Sequence, residues 1–270
     1  MAVAPIVAAP AAHTSFRKLG KKAPKHDCRT LHLGDYLRAA QLPAPAPVDW
    51  TIACKQPWGM MLNDRIGCCG ISTLGHGIQV LTGNGGAEQT IPDSTILNAY
   101  VAVTGREGGA YNPRTGANDN GTVLIDDLNQ WRAGMHGHQI AAYASVRPSN
   151  QTHVMQAIDL FGGIAIGVSL PNTAQEQLNA NQPWDYVPNG GAAAQPGSWG
   201  GHAIWVAAVD STGLVCITWG ARQAMTWAFF TTYCDEAYAV ISHDFIKATG
   251  TAPSGFDFAT LQADLSAVTN

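Results

Sequence analysis

Two stretches of this 270-residue chain carry residues that could do chemistry together. The first is Asn63–Val80, NDRIGCCGISTLGHGIQV, in which Ile71, Leu74 and Ile78, followed by Leu81, recur at steps of three and four. That spacing predicts a helix that starts near Cys69 and buries one stripe. The run Gly83-Asn84-Gly85-Gly86 supplies its stop. Cys69 then lies in the first turn, where unpaired N–H groups and the positive end of the dipole favour the thiolate, the attacking form of cysteine. The second stretch is Trp199-Gly200-Gly201-His202, leading into Ala203–Val209, a strand apolar on both faces. Its glycines admit a ligand close to the backbone, and the strand holds the imidazole in place. A neutral imidazole facing a thiol at a helix N-terminus favours a thiolate–imidazolium pair, a nucleophile usable near neutral pH.

Each residue alone has a plainer reading, since a free cysteine is usually a small buried hydrophobe and an interior histidine usually bonds backbone. His76 is no base for Cys69. Seven helical residues put it roughly 10 Å along the axis, and a base must reach within about 3 Å of the proton it takes. Cys68, one position earlier, points elsewhere. His136-Gly137-His138 lacks the cysteine or carboxylate cluster of a metal site, so neither a metal nor a cofactor is expected. Six cysteines, Cys28, Cys54, Cys68, Cys69, Cys216 and Cys234, show no CxxC pair. They argue against a disulfide scaffold and for a reducing, cytoplasmic compartment.

The elements that must position the pair follow from periodicity. Gly70, Gly75 and Gly77 cost the central helix about 1 kcal/mol each relative to alanine, so close packing must hold it. Further helices are predicted over Ser94–Thr104, Thr122–Ala133 and His153–Phe161. Strands are predicted over Ile140–Ala144, Ile164–Leu170, Ala203–Val209, Leu214–Trp219, Thr226–Thr232 and Ala237–Ser242. Asn172–Ser198 reads as a long functional loop anchored by Trp184 and Tyr186. Helices first and strands after make an α+β arrangement.

Composition sets the frame. With 46% hydrophobic residues the chain can build a real core, and no apolar run reaches the 18 or so residues of a membrane span. Met1–Pro10 is apolar but has no basic residue ahead of it, so it reads as a flexible tail rather than a secretory signal. Residues 1–45 hold seven Lys/Arg against two Asp, while the rest holds eight against seventeen acidic residues. A basic arm, ending in the Leu42–Pro47 Ala/Pro linker, thus precedes an acidic body. Without interleaved aromatics the arm is a weak nucleic-acid signal, and lying on its own acidic body accounts for the charge as well. The expected domains are the arm and linker over 1–46, a body over 47–250 with a helical half about 60–135 and a strand-rich half about 138–245, and a C-terminal docking helix over 251–270.

Together these pieces resemble the papain-like cysteine peptidases over about Val48–Ser242. The residues that carry the likeness are the Val48-Asp49-Trp50 opening, Asn63 six before Cys69, Asn120-Gly121, the strand Ile164–Leu170, the His202-Ala203 strand and the pair Trp219-Gly220. The chain also resembles an uncharacterised bacterial branch of that superfamily marked by Asn-Asp-x-x-Gly-x-Cys, Gly-Gly-His and Thr-Trp-Gly. The resemblance implies a helical half, with the Cys-bearing helix at its centre, packed on an antiparallel β-sheet or barrel half. It implies Cys69 as nucleophile, His202 as general acid/base and Asn63 as a side-chain donor to the oxyanion, with Trp219 covering the histidine and Gly201 and Thr218 in support. It departs from the pattern at two places: Gly70 stands where the family has Trp, and Ile217 stands where it has the Asn that orients the histidine. A dyad remains, with Thr218 or a backbone carbonyl to hold the imidazole.

Two functions follow. One is a thiol hydrolase, a peptidase or isopeptidase working through an acyl-enzyme, with acyl transfer or amidase chemistry as a variant on the same dyad. The other is a papain-like protein without catalysis that binds a partner protein or builds an assembly through its arm. The expected partners are a polypeptide substrate or partner protein, with the arm on its own cleft or on another subunit of an oligomer, and no membrane.

Overall fold

A computed structural model describes residues 17–36 and 46–245. The expectations for the Met1–Pro10 tail, most of the Ala/Pro linker and the C-terminal helix lie outside the described residues. In chain order the elements are β1 (Leu31–His32), α1 (Leu33–Tyr36), β2 (Val48–Asp49), α2 (Cys69–Gly85), α3 (Asp93–Arg106), α4 (Leu124–Ala133), β3 (Ile140–Ser145), α5 (Gln151–Phe161), β4 (Ile164–Leu170), α6 (Asn172–Asn179), β5 (Gly200–Val209), β6 (Gly213–Thr218), β7 (Ala221–Thr226), α7 (Trp227–Tyr233) and β8 (Cys234–Ser242). One eight-stranded sheet runs β1-β3-β8-β4-β5-β6-β7, with β2 pairing β5. Only the β1–β3 pair is parallel. The architecture is α+β, as expected.

The central helix begins at Cys69 and is closed by Gly86 in the left-handed region, φ 97°. Its stripe of Ile71, Leu74, Ile78 and Leu81 is fully buried. Close packing holds the glycines: a Cβ at Gly75 would lie 2.3 Å from Met61 Sδ, and one at Gly77 2.9 Å from the Trp205 ring. β5 is buried on both faces, as its unbroken apolar run implies. Ile204, Val206 and Val209 enter one core with α5, α7 and Trp184, while Ala203, Trp205 and Ala207 enter another with α2, α3 and α4. The sheet is therefore the partition between two cores, and β5 runs through its middle. The Val48-Asp49-Trp50 opening ties the chain in. Asp49 accepts from the Thr51 N–H and pairs with Arg222 at 2.7 Å, and Trp50 Nε1 donates to the Ile158 carbonyl.

Three local readings change. Thr226–Thr232 is helix α7 rather than a strand, because the Thr226 side chain caps it by accepting from the Phe229 N–H. The strand that β6 does pair with is the preceding β7. The supposed loop after Pro171 opens with α6, whose Thr173, Ala174 and Leu178 are buried. All six cysteines are free, and no helix among the described residues is long and apolar enough to cross a membrane.

Candidate active site

Cys69 starts α2 and is only 1% exposed. It shares a buried cluster with Ala203, the residue after His202, so the helix start and β5 converge there. Burial pushes the thiol up to about 11, against the N–H groups of Ala203, Gly20 and Gly70 that would favour the thiolate. His202 on β5 is equally buried. Burial first, and His76 second, hold its imidazole down to about 3. Burial thus disfavours the charged form of both groups.

His202 is held from two sides. Its ring stacks on Trp219, with centroids 4.0 Å apart and planes within 9°, and its Nε2 lies 2.7 Å from Thr218 Oγ1. Nδ1 is buried with no hydrogen bond. The Thr218 hydroxyl can accept an Nε2–H, which leaves Nδ1 as the bare basic nitrogen. Trp219 adopts φ 44° at the turn before Gly220, an uncommon conformation for a bulky residue that lays its indole over the imidazole. Ile217 faces the helix-side core instead.

Asn63 is buried, and its Nδ2 donates to the carbonyls of Ile66 at 3.3 Å and Lys18 at 3.1 Å. The Lys18 carbonyl also accepts from Trp219 Nε1, at 3.2 Å. Residues 18–22 continue between the two walls that carry these groups. Lys18 N–H donates to the Asn63 carbonyl, Gly20 and Lys21 N–H to the Gly201 carbonyl, Lys22 N–H to the Thr122 carbonyl, and Thr122 N–H to the Gly20 carbonyl. Fit here is too close for side chains. A Cβ on Gly20 would stand 1.8 Å from the Gly67 carbonyl oxygen, and one on Gly201 2.2 Å from the Lys21 carbonyl oxygen. Of the two glycines before His202, Gly201 thus admits a polypeptide backbone and Gly200 the Leu19 side chain.

Behind Cys69 lies a residue that sequence reading missed. Asp127 on α4 is fully buried, accepts from Thr122 Oγ1 at 2.9 Å and leaves Oδ1 unpartnered. Burial raises its carboxyl well above the ordinary range. A Cβ on Gly70 would fall 1.9 Å from Asp127 Oδ2, so the residue after the cysteine has no room for a side chain. The Asp126-Asp127 pair in the first turn of α4 is the only signal in the sequence.

The remaining candidates fall away from the site. Cys68 Sγ donates to the Met61 carbonyl, and His76 Nε2 meets the Gly59 carbonyl at 2.9 Å. His136 meets Thr95 and His138 meets Asp244. Among the described residues no cluster of three metal-binding side chains occurs.

Comparison with solved structures is decisive for the fold. Xylellain, a cysteine protease from Xylella fastidiosa, superposes with a TM-score of 0.62 over 85% of this chain and 98% of its own, at 15% identity. The fold is papain-like. Procathepsin B from Trypanosoma congolense matches at TM-score 0.54 and 8% identity over 84% of this chain and 87% of its own. The cysteine protease and lectin-like domains of Cwp84, a surface layer associated protein of Clostridium difficile, match at 0.57 and 9% over 83% of this chain and 55% of theirs. No protein-family signature matches the sequence, and no curated protein matches it. In this papain-like frame α2 is the central helix, and residues 18–22 lie between the segment that leads into it and β5.

Proposed function

We propose that the protein is a papain-like thiol hydrolase acting on polypeptides, with Cys69 as nucleophile, His202 as general acid/base, Thr218 positioning the imidazole and Asn63 serving the oxyanion. The observation that carries this reading is the set of contacts around one imidazole: Trp219 on its face, Thr218 on Nε2 and a free Nδ1. An imidazole fixed in this way has one nitrogen left for proton transfer.

The chemistry follows. Nδ1 takes the Cys69 proton, and the thiolate adds to the scissile carbonyl carbon. Asn63 Nδ2, which already donates to a carbonyl in the groove, donates to the oxygen on which charge develops. The imidazolium then returns its proton to the departing amine. Water attacks the thioester, giving its proton back to Nδ1, and the acid and free thiol are released.

Residues 17–22 keep this site shut. The arm sets its own backbone against β5, with the Gly20 and Lys21 N–H groups spent on the Gly201 carbonyl. It thereby blocks the site and excludes the water that would let the pair ionise. Displacing it restores an ordinary, lower thiol pKa and the thiolate–imidazolium pair. The test uses the full chain with Gly20→Val, which cannot seat against Gly67, and an electrophilic thiol probe near pH 6 with the label located by mass spectrometry. Cys69 should be labelled at least about tenfold faster in Gly20→Val than in the parent protein, and the gain should vanish with His202→Ala. Labelling of Cys69 in Gly20→Val no faster than that of exposed Cys28 overturns the reading and leaves the fold without the activity.

A further inference from the structure

Lys21 is the one basic side chain in residues 17–25 that enters the protein. Its side chain is 2% exposed, against 36% for Lys22 and 56% for Lys25. The ammonium lies 3.0 Å from each oxygen of Asp235 and 3.2 Å from Glu236 Oε1. Both carboxylates are held in position by neighbours. Ser169 Oγ donates to Asp235 Oδ2 at 2.8 Å, and Tyr238 OH donates to Glu236 Oε2 at 3.0 Å. Glu236 is 5% exposed at its side chain, and its Oε1 is buried, makes no hydrogen bond and faces the ammonium.

The shape fits an unbranched chain. Gly167 on β4 leaves the channel open, since a Cβ there would lie 2.1 Å from Lys21 Cε and 2.7 Å from Glu236 Cγ. The channel adjoins the proposed site. Gly20 and Lys21 both donate to the carbonyl of Gly201, the residue before His202. A polypeptide seated as residues 18–22 are therefore delivers the side chain at the Lys21 position straight to the two carboxylates.

Electrostatics then select what may enter. Two carboxylates facing one site repel each other, and a neutral occupant would leave the buried Glu236 without a counter-charge. We propose that the pocket formed by Gly167, Ser169, Asp235 and Glu236 is a specificity site for a basic side chain of the polypeptide substrate, lysine above arginine, which Lys21 fills while the arm is in place. This rests on the reading of the groove as a substrate site.

Peptide binding to the full chain tests it. In the full chain Gly20→Val unseats the arm and Lys21→Ala empties the pocket, and calorimetry on this double variant compares the nine-residue peptide Arg-Lys-Leu-Gly-Lys-Lys-Ala-Pro-Lys, residues 17–25, with the same peptide carrying norleucine in place of its fifth residue. The lysine peptide should bind about 30-fold tighter. Adding Asp235→Asn, a partly exposed site that tolerates the change, should cut the preference to about threefold or less, and Glu236→Gln should do the same. Equal affinity for the two peptides, or no binding of either, overturns the proposal. Binding needs no thiol chemistry, so the two readings fail separately. A lysine preference beside an unreactive Cys69 sinks the hydrolase and keeps the pocket, whereas a reactive Cys69 with no preference sinks the pocket alone.

Discussion

In the proposed site Thr218 takes over a task that the papain-like pattern gives to an asparagine, and strand geometry explains the change of position. Side chains alternate across a sheet, so on β6 Ile217 and Thr218 face opposite cores. His202 has the same parity on β5 as Ile204 and Val206, away from the helix-side core that Ile217 fills. Only the residue next to the expected one can reach the ring. Cys69 and His202 could be proposed from sequence because each is announced by its own neighbours, a helix start and a pair of glycines. Thr218 was legible only as one of two candidates, since its partner depends on the β5–β6 register. In the Gly20→Val background, Thr218→Val should lower the Cys69 labelling rate roughly tenfold and shift its pH profile, while Thr218→Ser should keep both. Equal rates across the series would show that the hydroxyl does not orient the ring.

At the scale of elements, the contact between α2 and α4 explains why the chain departs from the family pattern after its cysteine. Asp127 and Thr122 occupy the space a side chain at position 70 would need. Gly70→Ala should therefore destabilise the protein by about 1–3 kcal/mol, as overpacking does, and Asp127→Gly should recover part of that loss in the double variant. Thermal or urea unfolding of the four proteins checks it, and additive losses would show that the two positions do not meet. Helix α2 was readable end to end because its stripe and glycine stop are local signals. The β7–α7 segment was not. Arg222 and Gln223 make β7 look polar, but their polar ends are spent on Asp49 and on the Gln182 carbonyl. The aromatic run after it looks like a strand until Thr226 caps it as a helix.

For the whole molecule, the buried titratable groups pull stability in opposite directions. His76 is held at about 4 and His202 at about 3, both below the ordinary histidine value, chiefly by burial. Between pH 6.5 and these values the unfolded chain binds protons that the folded one refuses. Stability is therefore full above about 6.5 and falls on acidification, by on the order of 3 kcal/mol for His76 alone. Asp127 acts the other way. Its carboxyl is raised by burial, so its contribution is full at low pH and is lost as pH rises toward its folded value. Urea midpoints measured from pH 4 to pH 9 check both. His76→Gln should flatten the rise of stability with pH below about 6.5, Asp127→Asn should remove the opposing loss as pH rises, and an unchanged profile in either variant would refute the assignment. The two-half architecture could be read from the order of helices and strands. The contacts of residues 17–22 could not, because a basic stretch followed by a proline-rich one looks alike whether it lies on its own body or on another molecule.

One feature of that stretch has a mechanical meaning. The chain is fastened twice, by residues 18–22 in the groove and by Leu31–His32 as a strand on β3, while residues 23–26 between them are exposed. A cut within 23–26 would end the covalent link that holds residues 18–22 near the groove at high effective concentration, while the strand beyond the cut stays stitched to the sheet. Opening by such a cut would run one way, since a severed peptide bond does not close again by itself.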